Sequence, residues 1–278
     1  MKQLFDNYSY KASRMVTKSY STSFYSGVRF LDKSIRNDIH AIYGFVRFAD
    51  EIVDSFHRYD KESLMAEFRA ETFKSLDEGI SMNPILNSFQ HTVNKYQIDY
   101  ELIDAFLHSM EMDLEDQIYD EKLYDQYILG SAEVVGLMCL RVFVHGDQQQ
   151  YDKLKSYAMT LGSAFQKINF LRDLKDDIGI LGRQYFPNLG TEGLNTRSKL
   201  GIEAEIDREF KEAYKGILML PKSSRLGVYV SYVYYTKLLA KIKRKTVEEL
   251  MGNRIRVPNQ KKMALFFTSY MRNLMNLL

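Results

Sequence analysis

The sequence has few of the residues that end helices and few that cross-link a chain. Its 278 residues include 4 prolines, 15 glycines and 1 cysteine. So few turn residues argue against a β protein built from many short strands. The single cysteine, Cys139, excludes an internal disulfide and fits the reducing cytoplasm, where we expect the protein to be located.

Excess charge and long apolar runs are also missing. The net charge is +2 and the pI is about 8.3, which is too balanced to favour a nucleic-acid partner. The N-terminal stretch "MKQLFDNYSYKASR" has no apolar core of signal-peptide length, and "VVGLMCLRVFV" is too short to span a bilayer. We expect no membrane-spanning segment, and we leave peripheral contact with the inner face of the membrane open.

What the sequence does contain is helical periodicity along its whole length. Hydrophobic residues make up 45% of the chain, enough for a large core. We predict one all-α domain over residues 1–278, with no strand. The predicted order begins with a short helix, a loop "STSFYSG", and a helix capped by Asp32 or Ser34 that runs to about His57. Helices then begin at Asp60, Asn83-Pro84 and Asp99, followed by a central apolar helix "LYDQYILGSAEVVGLMCLRVF" and a helix from about Gln149 to Asp177. After a loop "GILGRQYFPN" come three more helices, the second beginning near Pro221 and the last near Pro258.

One stretch, "FVRFADEIVDSFH", places paired acids on a helix that is otherwise apolar. At about 100° per residue, Tyr43, Arg47, Asp50 and Asp54 fall in a narrow sector that is flanked largely by apolar surface. Like charges four residues apart destabilise a helix. Taken alone, the stretch fits either a solvated helix face or the wall of a site.

A second stretch, "SAFQKINFLRDLKDDIGILGRQYFP", repeats the arrangement. Asp173 and Asp177 are again four residues apart, and Gln166 and Asn169 share their face, with Arg172 farther around the helix. Two such stripes favour a site over a solvated face. A hard divalent cation resolves the repulsion between carboxylates, and Mg²⁺ prefers oxygen ligands together with substrate phosphate. Because guanidinium groups pair with phosphate, the stripes predict a diphosphate held between metals and arginines, attached to an apolar group.

Other signals are discounted. The five histidines form no spaced set of zinc ligands, and no phosphate-binding glycine loop points to a nucleotide. Cys139 lies in an apolar helix and is interpreted as a packing residue. The basic runs "KLLAKIKRK" and "RIRVPNQKK" are interpreted as a solvated face rather than a lipid-binding one.

The two acid-rich stretches, "YGFVRFADEIVD" and "NFLRDLKDDIGILGRQYFP", resemble the aspartate-rich motifs of the squalene and phytoene synthase family. "STSFYSG", "MEMDLEDQIY" and "GSAEVVGLM" also match the family in the same order, so the resemblance covers nearly the full chain and is closest to bacterial phytoene synthases. It implies a single-domain isoprenoid (terpenoid) synthase fold with a central cavity. Tyr20, Leu129 and Glu133 depart from the family's pattern, where many relatives have histidine, tyrosine and glycine, and put the product and its chain length in doubt.

The resemblance also implies roles for individual residues. Carried over by motif, the residues that hold Mg²⁺ (or Mn²⁺) are Asp50, Asp54, Asn169, Asp173 and Asp177. Arg47 and Arg172 bind diphosphate, Gln166 lies on the same wall as Asn169, and Ser21 and Ser23 lie in a flap. Tyr43, Tyr185 and Tyr235 border the reacting groups, and the expected catalytic residues are the four aspartates with Tyr43 and Tyr185.

The implied reaction joins two prenyl diphosphates head to head through a cyclopropyl diphosphate. With geranylgeranyl diphosphate the product is phytoene, the first step towards carotenoids, and no NADPH is expected. The alternatives are a dehydrosqualene or squalene synthase that uses two farnesyl diphosphates, and a non-catalytic helical assembly protein on the same fold. Proteins of the last kind tend to have lost the acids, which this chain keeps. The sequence leaves the oligomeric state open.

Overall fold

The computed structural model describes residues 2–115, 119–179, 183–187, 194–252, 254–255, 265 and 268–269, and these residues form helices and connecting turns without a strand. The all-α prediction is therefore confirmed. The helices are α1 Lys2–Tyr20, α2 Thr22–Val28, α3 Lys33–Ser55, α4 Lys61–Glu78, α5 Pro84–Tyr96, α6 Tyr100–Met112, α7 Glu121–Ile128, a π-helical segment Leu129–Glu133, α8 Val134–Phe143, α9 Gln148–Gly179, α10 Thr196–Met219, α11 Lys222–Ile242 and α12 Val247–Gly252.

Short polar side chains start these helices where the sequence predicts. Asp32 accepts a hydrogen bond from the backbone N–H of Ser34, and Asp60 and Asn83 cap α4 and α5 in the same way. Such caps satisfy N–H groups that have no partner within the helix, and each contributes about 1 kcal/mol. The cap at Asp32 fixes where α3 begins.

Three local predictions are wrong. The first helix is not short, since α1 has 19 residues. The stretch "STSFYSG" is not a loop, because Ser21 caps α2 by accepting from the N–H of Phe24. A short helix, α12, also lies before the predicted last one, whose start near Pro258 is outside the described residues.

The core is packed around aromatic rings from separate helices. Phe45 of α3 stacks on Phe89 of α5 with ring centroids 3.9 Å apart, and Phe106 of α6 closes the cluster. All three side chains are fully buried, and each burial stabilises the fold by about 2–3 kcal/mol. This cluster anchors the buried face of α3.

The central apolar stretch forms one continuous helical element, Glu121–Phe143, with the π-helical segment inside it. Gly130 lets this element approach α6 closely, because a Cβ there would lie 2.6 Å from the Cβ of Ser109. Within the part of the chain that the structure describes, the stretch is the one helix long and apolar enough to cross a bilayer. Half of it is buried among the other helices, so it serves as a core helix.

Candidate active site

The first acid pair lies on α3, beside the face that enters the core. Ile35, Ile39 and Ile42 are buried, which turns Arg47 and Asp50 toward the interior of the site. Arg47 donates to Glu51 at 2.5 and 3.1 Å, whereas its nearest distance to Asp50 is 4.0 Å. Its guanidinium carbon also lies 4.4 Å from the centre of the Tyr20 ring. Tyr20 and Glu51 therefore orient the guanidinium.

The second acid pair lies near the end of α9. Arg172 donates to both oxygens of Asp173, at 2.9 and 2.5 Å. Arg254, which follows α12, pairs with the same carboxylate at 2.7 Å and comes within 3.8 Å of Asp176. Arg254, the first residue of "RIRVPNQKK", is exposed, as the solvated-face interpretation expects, and its guanidinium also completes the second acid-rich stretch.

A fourth arginine, Arg183, joins the two stretches. Its side chain donates to Asp54 of α3 at 2.8 Å, and its backbone N–H donates to the carbonyl of Asp177 at 2.8 Å. The two acid pairs, 119 or more residues apart in sequence, thereby face one another. The structure brings together the residues that the sequence predicts, and it adds an arginine between them.

Arg183 is held in turn by a buried carboxylate, Asp113, at the end of α6. Asp113 lies 3.5 Å from the guanidinium and accepts hydrogen bonds from Tyr127 at 2.7 Å and Tyr185 at 3.3 Å. Burial raises the pKa of Asp113 to about 6, while Arg183 opposes that shift. Tyr185, predicted to border the reacting groups, thus belongs to a polar network behind the acids and stacks on Phe170 at 4.2 Å.

Removal of the Asp113 carboxylate should destabilise the fold. We expect Asp113→Ala to lower the free energy of unfolding by about 3 kcal/mol, because it leaves Arg183 and the Tyr127 hydroxyl without their buried acceptor. Asp113→Asn keeps an acceptor oxygen and should lose less. Urea denaturation measures both, with Asp207→Ala, which removes an exposed partner of Lys243, as the control expected to lose under about 1 kcal/mol. Equal losses for the Asp113→Ala and Asp207→Ala variants would contradict the prediction.

Within each pair, one aspartate carries a strongly raised pKa. Burial and the neighbouring Asp54 raise the pKa of Asp50 to about 7. Burial, Asp173 and then Asp54 raise the pKa of Asp177 to about 8. Asp177 therefore lies in the negative field of acids from both helices, and Asp50 in that of its own helix and Asp113, so a cation is stabilised at either carboxyl.

The donor set fits a divalent cation shared with a ligand. Among the described residues, no three His, Cys, Asp or Glu side chains lie close enough to hold an ion by themselves. Mg²⁺ in proteins commonly takes one or two carboxylates and fills its other positions with phosphate oxygens and water. Asp50, Asp54, Asp173 and Asp177 match that chemistry, with Asn169 as a neutral oxygen donor. Their assignment as metal ligands stays a prediction.

Metal binding at these acids should depend on pH. Between pH 6.5 and 8.5 the carboxyls of Asp50 and Asp177 lose protons that would compete with the cation, so affinity should rise as the pH rises. We expect the Kd for Mg²⁺ to be on the order of 10–100-fold lower at pH 8.5 than at pH 6.5. Titration calorimetry with Mg²⁺ alone measures this without titration of a phosphate ligand, and a Kd that stays constant over this range would refute it.

Beside the second acid pair, a cavity of about 360 Å³ opens into the fold. Its polar end is lined by Ser21, which caps α2, by Ser23 of α2, and by Gln166, Asn169 and Arg172 of α9. Tyr235 of α11 also lines it and donates to Asn169 at 3.2 Å, while Asn169 donates to Gln166 at 3.3 Å. The predicted amide wall and the two predicted serines therefore share one cavity.

Tyr43 lies beside the same cavity without appearing on its wall. Its ring stacks on Phe24, a wall residue, with centroids 4.8 Å apart. Burial raises the pKa of its hydroxyl to about 12, so the group stays protonated and can only donate or accept a hydrogen bond. Its predicted place at the border of the reacting groups stays a prediction.

Sequence reasoning missed Asp113, Arg183 and Arg254. The first two stand inside the quoted stretches "MEMDLEDQIY" and "GRQYFP", where a buried-acid or arginine role could have been assigned. Arg254 carries no local signal, because its partner Asp173 is 81 residues away. Only the fold brings these two residues together.

The chain is similar in sequence to known proteins. A family model described as squalene/phytoene synthase matches residues 17–198. A phytoene synthase from Arthrospira platensis is 26% identical, with 92% of this chain and 90% of the relative covered. A presqualene diphosphate synthase from Rhodopseudomonas palustris is 32% identical, with 60% of this chain and 58% of the relative covered.

Solved structures show the same architecture. A crystal structure of a dehydrosqualene synthase in complex with a ligand superposes with a TM-score of 0.83. It shares 18% sequence identity, and the superposition covers 96% of this chain and 98% of that one. The predicted terpenoid-synthase fold is confirmed by this likeness.

Proposed function

Because this chain belongs to the squalene/phytoene synthase family, we propose that it joins two molecules of geranylgeranyl diphosphate head to head to form phytoene. The chain is an enzyme of the prenyltransferase class, and prenyl diphosphates are the substrates of that class. The proposal concerns the finer point, the C20 chain length and the hydrocarbon product. The length of the cavity is the observation that carries it.

The cavity follows α9 from its polar end inward. Nine residues of this helix line it at spacings of one or three: Leu154, Tyr157, Ala158, Leu161, Gly162, Phe165, Gln166, Asn169 and Arg172. At a rise of about 1.5 Å per residue, the 18 residues from Arg172 to Leu154 span about 27 Å. All wall residues of α9 deeper than Gln166 are apolar or tyrosine, so this length suits a hydrocarbon.

Substrate length can be set against that depth. An extended isoprene unit measures about 5 Å, because it contributes four carbon–carbon bonds of about 1.5 Å in a zigzag. A C20 chain therefore needs about 20 Å and a C15 chain about 15 Å. With about 5 Å given to the diphosphate at the arginine end, the cavity accommodates four isoprene units and is longer than three require.

The residues of the site have two functions: charged groups bind the diphosphate and the metal, and apolar groups exclude water. In the proposed reaction Arg47 and Arg172 pair with diphosphate oxygens, and Arg183 holds Asp54 facing Asp177. When bound, Mg²⁺ would neutralise negative charge on the departing diphosphate. The apolar walls keep water from the allylic cation, and ring faces such as Phe165, stacked on Tyr235 at 4.0 Å, stabilise positive charge. The proposed reaction ends in loss of a proton, so no hydride donor takes part.

The test is product analysis with purified protein, Mg²⁺ and no NADPH, with geranylgeranyl and farnesyl diphosphate supplied separately. Phytoene from the C20 substrate is the expected result. Dehydrosqualene from the C15 substrate alone would overturn the chain length while leaving head-to-head coupling. A cyclopropyl diphosphate as the final product would overturn the hydrocarbon product. No product from either substrate, with the fold intact, would overturn the proposal as a whole.

A further inference from the structure

The outer face of α1 combines apolar and cationic side chains in one stripe. At about 100° per residue, Leu4, Tyr8, Lys11, Met15 and Lys18 fall within an arc of about 80°. Leu4, Tyr8 and Met15 are 76%, 58% and 64% exposed. Single exposed apolar residues are ordinary. Three on one stripe, interspersed with lysines, form an amphipathic surface.

Charge is segregated around α1. Its one acid, Asp6, points inward, where it bonds Lys2, His91 and Asn87. The inward side is otherwise a seam of small polar groups, such as Ser13, whose hydroxyl lies 2.7 Å from that of Ser88. The outer face, which Arg14 borders, therefore carries positive charge and no acid of its own helix.

The C-terminal end of α1 adjoins the polar end of the cavity. Tyr20 ends α1, and the next residue, Ser21, lines the polar end of the cavity. Arg14 also donates to the hydroxyl of Tyr25 in α2 at 3.0 Å. A surface that rests against α1 would therefore lie near the polar end of the cavity.

We propose that the outer face of α1 docks the enzyme on a bilayer that contains anionic lipids. Leu4, Tyr8 and Met15 enter the boundary between headgroups and acyl chains, and Lys11 and Lys18 pair with lipid phosphates. Only the biological reason for this docking rests on the proposed function, since amphiphilic prenyl diphosphates and an apolar product both partition into membranes. The binding itself follows from the face.

A second copy of this chain fits the same face poorly. In a twofold-symmetric interface the same patch serves both partners, so the lysines of one copy would meet the lysines of the other with no acid of α1 between them. An anionic lipid surface supplies the charge that this face lacks. Charge complementarity therefore favours an anionic membrane over a second copy of the chain as the partner of this face.

Vesicle sedimentation tests the proposal. We expect the wild-type protein to bind vesicles of phosphatidylcholine with phosphatidylglycerol, and to be released by 0.5 M NaCl, since salt screens these charges. The double variant Lys11→Gln/Lys18→Gln should bind about 30-fold more weakly, at roughly one kcal/mol per charge. The matched control Lys153→Gln/Lys155→Gln makes the same charge change at two exposed lysines at the start of α9 and should bind as wild type does.

Turnover of detergent-dispersed substrate keeps this test separate from the proposed function. Both double variants should retain wild-type turnover there, because neither alters the site. Equal vesicle binding by both double variants, or no binding by the wild type, would overturn the docking face even if the reaction is as proposed.

Insertion of α1 into the bilayer can be measured independently by tryptophan fluorescence, because the chain contains no tryptophan of its own. Leu4→Trp places a single one on the outer face of α1, and Leu200→Trp places one at a site on α10 that is 58% exposed. We expect the emission of the first variant to shift to shorter wavelength with anionic vesicles, and that of the second to stay constant. A shift of the first without lipid, growing with protein concentration, would overturn the proposal in favour of a dimer interface.

Discussion

Replacing Asp177 by asparagine is expected to lower kcat by about 10³-fold while making the metal-free protein more stable. The loss follows because an amide cannot supply the negative charge that a metal and its diphosphate require, and such electrostatic terms contribute several kcal/mol. Asp50→Asn should behave in the same way from the facing helix. Steady-state product formation and thermal unfolding without metal measure the two effects.

The gain in stability follows from the sign of the pKa shift. The carboxyl of Asp177 has a pKa of about 8 in the folded protein against the ordinary 3.8. The folded state therefore holds a proton that the unfolded chain releases, so this group lowers stability as the pH rises from about 4 to about 8. Asparagine removes that penalty. After discounting for partial exposure, we expect about 2 kcal/mol at pH 8, or roughly 4 °C in Tm, shrinking toward zero as the pH falls to 4.

Asp152→Asn serves as the control on the same helix. Asp152 is exposed in the first turns of α9 and accepts a hydrogen bond from Gln148, far along α9 from the acid pair. Its turnover and Tm should match those of the wild type. An Asp177→Asn enzyme that keeps turnover would remove this carboxylate from the metal site, and one that loses Tm at pH 8 would contradict the field that Asp54 and Asp173 impose.

Local sequence signals were sufficient for several helix starts and for both acid pairs. Asp32, Asp60 and Asn83 cap the helices that they were expected to cap, because capping depends on hydrogen bonds within a few residues. The aspartate pairs were recognisable for a related reason, since helical periodicity alone places residues four apart on one face.

The remaining features depend on tertiary contacts that no local pattern records. Nothing in the sequence near Arg254 indicates Asp173, and the role of Asp113 requires Tyr127, Tyr185 and Arg183 to converge on it. The stretch "STSFYSG" was mistaken for a loop because serine and threonine favour turns in general. Here the side chain of Ser21 caps α2, and α2 packs beside the cavity. The pairing of these charged residues is therefore determined by the tertiary fold and not by the local sequence.

The depth of the cavity leads to the second large effect, a change of substrate length at Ala158. This residue lines the cavity 14 positions before Arg172, which places it about 21 Å along α9. A phenyl ring there would separate Leu154 and Tyr157 from the rest of the cavity. After about 5 Å for the diphosphate, about 16 Å would remain, room for three isoprene units and not for four.

We therefore expect Ala158→Phe to lower kcat/KM for geranylgeranyl diphosphate by at least about 10²-fold, since one misplaced methylene in an apolar pocket already costs 10-fold or more. Use of farnesyl diphosphate should change little, so the preference reverses. Competition between the two substrates, with the C30 and C40 products quantified by chromatography, measures the ratio directly. Ala158→Val should shift it less in the same direction, and Ala70→Phe on the exposed side of α4 should leave it unchanged. If both alanines behave alike while the proteins stay folded, the tail does not follow α9, and the inference from cavity length to a C20 substrate loses its basis.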